Sequence, residues 1–150
     1  MRVAVTGASG FIGGRIARAL EALGHEVQSF GRRPCSQLTN DVPNYVEWDI
    51  TRGARVLADV EAVVHCAAHV RQWGRDALFH AVNVRGTQHV VHSALATARI
   101  VYVSSGSVYH TNHLPAYART KLLGESIAVS YTHLRAHETK ANLVCRLLLE

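Results

Sequence analysis

The chain has 150 residues, 48% hydrophobic and 18% charged, and carries a net charge of +5 with its histidines neutral. That length holds one domain with a real core, and the basic residues are scattered apart from Arg32-Arg33, which argues against a nucleic-acid-binding stripe. Three cysteines without paired spacing (Cys35, Cys66, Cys145) argue against a disulfide framework or a zinc site and fit a reducing cytoplasm.

No apolar run approaches membrane-spanning length. A first strand starting at residue 2 or 3 leaves no room for a signal peptide. The expected location is the cytoplasm, with neither membrane nor nucleic acid as partner.

Residues 2–6 read as a short buried strand. Thr6-Gly7-Ala8-Ser9-Gly10-Phe11-Ile12-Gly13 follows directly. Gly7 suits a tight turn, Gly10 leaves room for a pyrophosphate, and Gly13 lets a helix pack close to a sheet. Ile12, Ile16, Ala19, Leu20 and Leu23 then recur at helical spacing, and Gly24 stops the helix. A strand, a glycine turn and a helix in this order place free N–H groups and a positive dipole end against phosphates. Dinucleotide binding is the expectation from this stretch.

His25 to Phe30 reads as the second strand. In nucleotide folds of this type an acid at its end hydrogen-bonds the adenosine ribose and repels a 2′-phosphate. Here Gly31-Arg32-Arg33 stands instead. Two guanidiniums are placed to pair with that phosphate, so NADP is expected over NAD, which stays the alternative. Tyr45 to Ile50 reads as the third strand. Asp49 is placed either to accept from the adenine amino group or to cap a helix, a job Thr51 could also do. Residues 54–60 read as a short helix. Ala62 to Ala68 reads as a fourth strand with a small-residue exit, and residues 75–98 as a long helix interrupted by Asn83 and Gly86. Ile100 to Ser104 reads as a fifth strand ending in serines.

Beyond that strand come Ser105 and, further on, Tyr117-Ala118-Arg119-Thr120-Lys121. Tyr117 and Lys121 are four apart and share a helix face. A tyrosine has an ordinary pKa of about 10, and a nearby ammonium stabilises its phenolate. Such a tyrosine can move a proton at a carbinol oxygen while a hydride moves at carbon. A serine hydroxyl at the strand end can polarise the carbonyl. The ten histidines prompt a metal reading, but His65 lies on a strand, where its spacing to His69 does not converge on one ion. His89 and His92 lie on a helix with no acidic or cysteine partner at ligand spacing. Satisfied or solvated histidines are the better expectation.

Residues 1–128 resemble the extended short-chain dehydrogenase/reductase family, the NAD(P)-dependent epimerases, dehydratases and hydroxysteroid-dehydrogenase-like reductases. The matching pieces are residues 6–13, Asp49-Ile50, His65-Cys66-Ala67-Ala68, Asn83-Val84-Arg85-Gly86-Thr87, Ser104-Ser105, and Tyr117 to Lys121. The resemblance implies a doubly wound α/β fold with a parallel, Rossmann-like sheet, truncated after the helix carrying Tyr117 and Lys121. It implies Ser105, Tyr117 and Lys121 as catalytic residues. It implies cofactor contacts from Gly7, Ser9, Gly10, Phe11, Ile12, Gly13, Arg32, Arg33, Asp49, Ile50, Ala67, Ala68, Tyr117 and Lys121, with Asn83 structural or on the cofactor side. The implied activity is hydride transfer at a hydroxyl/carbonyl carbon of a small-molecule substrate. A non-catalytic dinucleotide sensor is the alternative.

Trp73-Gly74 favours the hydroxysteroid-dehydrogenase-like branch. The stretch from Ser105 to Tyr117 is shorter than the family's, and no acid follows Ser105, as one does in dehydratases. The family also continues into a substrate domain and pairs through the helices that bear Asn83 and Tyr117, so a homodimer is expected of a full-length parent. Residues 129–150 instead resemble a translated sequencing adapter and are set apart from the fold as a non-native tail. The truncated chain is expected not to catalyse.

Overall fold

The computed structural model describes residues 1–38, 41–71, 73–94, 98–109 and 115–136, with side chains up to Tyr131. Its strands are β1 (Arg2–Thr6), β2 (Glu26–Gly31), β3 (Tyr45–Glu47), β4 (Ala62–His65) and β5 (Arg99–Tyr102). They form one sheet in the order β3-β2-β1-β4-β5, parallel throughout. The chain order reverses beside β1, so the crevice for a ligand opens at the carboxyl ends of β1 and β4.

Side chains alternate across the strands and feed two cores. Val3, Val5 and Val27 pack with Ala8 and Ala17 on one face. Ala4, Phe30 and Val63 pack with Val82 and Val90 on the other. The first face is covered by α1 (Phe11–Ala22), the second by a helical stretch in three parts. These are α2 (Asp76–His80), a π-helical turn (Ala81–Gly86) and α3 (Thr87–Ser93). The last helix is α4 (Ala116–Ala136).

The strand-and-helix order matches the sequence reading, with corrections. Residues 54–60 form no helix: the Arg55 N–H donates to Ser93 Oγ at 2.9 Å and the Leu57 N–H to the Ser93 carbonyl at 3.3 Å, while Leu57 is buried. The end of α3 therefore claims the N–H groups a local helix would need. The third strand stops at Glu47, because Asp49 caps a 3₁₀ turn over Ile50–Arg52. The long helix is broken by its π turn, and α4 runs through Val129 to Ala136. The Tyr131 hydroxyl donates to the Ala94 carbonyl at 3.2 Å. Of the expected tail, residues 137–150 lie outside the described residues, as does Cys145. No helix among the described residues is long and apolar enough to cross a membrane.

Candidate functional site: a cleft at the glycine turn

Thr6 ends β1 and Gly7 turns the chain with φ +71°, a conformation that favours glycine. A Cβ on Gly7 would also meet the Ala67 nitrogen at 2.7 Å. A Cβ on Gly13 would strike the Gly7 carbonyl oxygen, so α1 starts hard against the turn. Gly10 is the N-cap of α1, and no side chain caps that end. The first N–H groups of the helix have no intrahelical partner and face a cleft of about 320 Å³. An uncapped helix start with a backbone-only approach is the donor set a pyrophosphate requires.

The cleft brings together most of the sequence-expected cofactor contacts. Gly7, Ser9, Gly10, Ile12 and Gly13 line one side, Arg32 and Arg33 the end of β2. Asp49, Ile50, Ala67 and Ala68 line the remainder. Arg33 is partly committed, because its guanidinium donates to the Ser9 carbonyl at 3.1 Å and braces the glycine turn. The Asp49 carboxylate accepts from the Thr51 N–H at 2.9 Å and hydroxyl at 2.8 Å, so it serves as a cap while lining the cleft. Burial pushes that carboxyl up, but the two Thr51 bonds and the charges of Arg32 and Arg52 outweigh it and hold the group below its usual range.

Other expected residues stand outside the cleft lining. Phe11 is 77% exposed, with Arg15 over its ring, and does not line the cleft. Asn83 is buried, and its side chain accepts from the His69 N–H at 2.7 Å. It donates to the His69 carbonyl at 3.3 Å and to Thr120 Oγ1 at 3.1 Å. Asn83 thus ties the exit of β4 to α4. Ser105 shares a 2.9 Å hydrogen bond with Ser107. Lys121 is buried; its ammonium donates to the Val103 carbonyl at 2.6 Å and lies 4.0 Å from the centroid of the Tyr102 ring. Burial lowers its pKa to about 8. Tyr117 is half-buried on the same helix, one turn before Lys121.

The lining residues that the sequence reading does not include are Thr6, Phe30, Gly31, Trp48, Thr51, Cys66, His69, Val70 and Val82. Trp48 and Val82 precede the motif residues Asp49 and Asn83 directly, which was the available signal. Burial pushes the Cys66 thiol up to about 11, which keeps it unreactive. His65 is fully enclosed, held between Thr6 Oγ1 at 2.6 Å and Thr87 Oγ1 at 3.0 Å, and burial drives its pKa down to about 3. His89 Nδ1 lies 2.7 Å from the Ile50 carbonyl. Each of the two histidines thus has a hydrogen-bond partner.

A model of the NAD dependent epimerase/dehydratase family matches residues 3–141. A 2-alkyl-3-oxoalkanoate reductase of Stenotrophomonas maltophilia is 35% identical over 115 residues, covering 73% of this chain and 35% of that protein. A 3-beta-hydroxysteroid dehydrogenase of Mycolicibacterium neoaurum is 32% identical over 156 residues, covering 85% of this chain and 42% of the relative. Among solved structures, MoeE5 in complex with UDP-glucose and NAD superposes with a TM-score of 0.75 at 28% identity, over 88% of this chain and 49% of that one. The chain thus spans less than half the length of these relatives.

Proposed function

This chain belongs to the NAD dependent epimerase/dehydratase family, and on that premise we propose that it is the dinucleotide-binding part of an oxidoreductase that prefers NADP(H). The observation that carries the reading is the uncapped start of α1, opening between Gly7, Gly10 and Gly13 into a cleft whose β2 end bears Arg32 and Arg33. The bound dinucleotide supplies a hydride donor or acceptor. The N–H groups at the start of α1 hold its pyrophosphate, and Ala67 and Ala68 allow backbone to lie against it. β2 ends without an acid to repel a 2′-phosphate, and Arg32 offers a planar donor fork for it.

In the full-length parent, Tyr117 is the acid/base that holds or takes the proton of a carbinol oxygen. Lys121 lends the cationic field that stabilises its phenolate. Ser105 positions the carbonyl oxygen. Hydroxyl/carbonyl redox at carbon is favoured over sugar epimerisation, because relatives above 30% identity include a 2-alkyl-3-oxoalkanoate reductase and a 3-beta-hydroxysteroid dehydrogenase by name. The exposed Trp73 beside Gly74 supports the same branch.

In the full-length parent, Tyr117→Phe should cut reduction of a 3-oxo acid or 3-oxosteroid by about 10²–10⁴-fold while leaving NADP(H) affinity unchanged. Unchanged turnover would sink the assignment of Tyr117. A dinucleotide sensor without turnover is the second reading. It is favoured by the engagement of the Lys121 ammonium with the Val103 carbonyl, and a full-length parent inert toward every carbonyl tested would establish it.

A further inference from the structure

Beside the cofactor cleft lies a second, more open hollow that shares Arg32 and His69 with it. Its other walls come from the segment between β4 and α2, with Arg71, Trp73 and Arg75, and from Leu78 on α2. Three of the hollow's side chains are guanidiniums, one is an imidazole, and none is a carboxylate. Arg32, Arg71 and Arg75 are all exposed, and the ion pairs among the described residues involve Arg2, Arg52 and Arg119 instead. The acid nearest in sequence, Asp76, is drawn off by Arg119 at 2.7 Å. Burial lowers the pKa of His69, and the charges of Arg71 and Arg32 lower it further, so both guanidiniums act on one ring.

Like charges gathered in one hollow repel, and the repulsion is relieved when an anion sits among them. Arg33 already donates to the Ser9 carbonyl, which leaves Arg32 as the freer guanidinium at the end of β2. We infer that the hollow is a phosphate-monoester subsite in which Arg71 and Arg75 join Arg32 around the 2′-phosphate of NADP(H). The segment between β4 and α2 then selects the cofactor, a job that Arg32 and Arg33 would not do alone. This rests on the NADP reading above and adds to it the residues from a second segment.

Adenosine 2′,5′-bisphosphate and 5′-AMP differ in the 2′-phosphate alone and probe the site directly by calorimetric titration. The chain should bind the bisphosphate at least about tenfold more tightly than 5′-AMP. Arg71→Gln with Arg75→Gln should cut that ratio by about tenfold through loss of bisphosphate affinity, leaving 5′-AMP affinity as it was. Both positions are exposed, so circular dichroism should show the fold unchanged. If the unsubstituted chain itself shows no preference for the bisphosphate, the NADP reading falls and takes this inference with it. If the preference exists but survives the double substitution, the NADP reading stands and the inference fails alone. Equal losses for both ligands would also overturn it, since they would mark a diffuse field. A third arm titrates a medium-chain 3-oxo acid: if the double substitution weakens that ligand and spares the bisphosphate, the hollow serves a substrate carboxylate and the inference is wrong.

Discussion

Thr6 and His65 meet at 2.6 Å directly beneath the glycine turn, and neighbouring bonds fix the direction of theirs. Thr87 Oγ1 spends its proton on the Asn83 carbonyl at 2.8 Å. It must therefore accept from His65 Nε2 at 3.0 Å, so Nε2 carries the hydrogen. Nδ1 is then bare and accepts from the Thr6 hydroxyl, whose oxygen accepts from the Ala67 N–H at 3.3 Å. One directed chain of hydrogen bonds links β1, the exit of β4 and the π turn, three of the segments that line the cleft.

The neutral His65 makes stability pH-dependent. Its pKa is about 3 in the fold against an ordinary 6.5. Between those values the unfolded chain binds the extra proton, so stability is full above pH 6.5 and declines as pH falls. The expected loss between pH 7 and pH 5 from this group is about 2 kcal/mol. Urea denaturation at the two pH values should show it, and His65→Asn should flatten the profile. An equally steep profile in the variant would assign the dependence elsewhere. Nitrogen chemical shifts should report His65 as the Nε2–H tautomer.

Lys121 bears a buried ammonium, and its pKa of about 8 lies below the ordinary 10.5. Between those values the unfolded chain again holds more protons, so stability should rise as pH is raised through that window. Lys121→Met keeps the apolar stem and removes the buried charge. It should leave thermal stability equal or raise it by about 1 kcal/mol, while abolishing turnover in the full-length parent. A loss of about 2 kcal/mol or more would mean that the bond to Val103 outweighs desolvation.

Asn83→Asp tests whether that residue is a tie or a cofactor contact. The carboxylate can still accept from the His69 N–H, but it has no donor for the His69 carbonyl or Thr120 Oγ1. The expected cost is about 2–3 kcal/mol in unfolding free energy, with little change in dinucleotide affinity at temperatures where the fold persists. Unchanged stability with lost affinity would place Asn83 in the site instead.

Local chemistry was legible in the sequence, and its reach explains what was not. The turn at Gly7–Gly13 depends on residues adjacent in sequence, so β1, the turn and α1 could be read together. Arg32 and Arg33 could be read for charge, but the bond from Arg33 to the Ser9 carbonyl needs two distant segments brought close. The π turn was hidden for the same reason: Gly86 packs against the Ile50 side chain and Gly124 against the Asn83 carbonyl. Residues 54–60 have helical spacing, yet Ser93 on α3 takes the N–H groups of Arg55 and Leu57. The spacing of Tyr117 and Lys121 put both on one helix, but it could not show that the ammonium meets the Val103 carbonyl. Arg71 and Arg75 carried no motif at all; the fold alone sets them beside Arg32.

Gly10→Asp gives the most direct test of the claim that the glycine turn holds a dinucleotide. Gly10 is an N-cap with extended backbone (φ −95°, ψ 173°), where aspartate is a favoured capping residue. The added Cβ would lie 3.2 Å from the Gly7 carbonyl oxygen, a contact a small shift relieves. The substitution therefore preserves the helix but sets a carboxylate where the pyrophosphate would lie. Calorimetric titration of NADP⁺ should show binding to the unsubstituted chain and at least about tenfold weaker binding to Gly10→Asp, with the melting temperature held or raised. Equal affinity in the two proteins, or no binding to the unsubstituted chain, would contradict the assignment of this cleft.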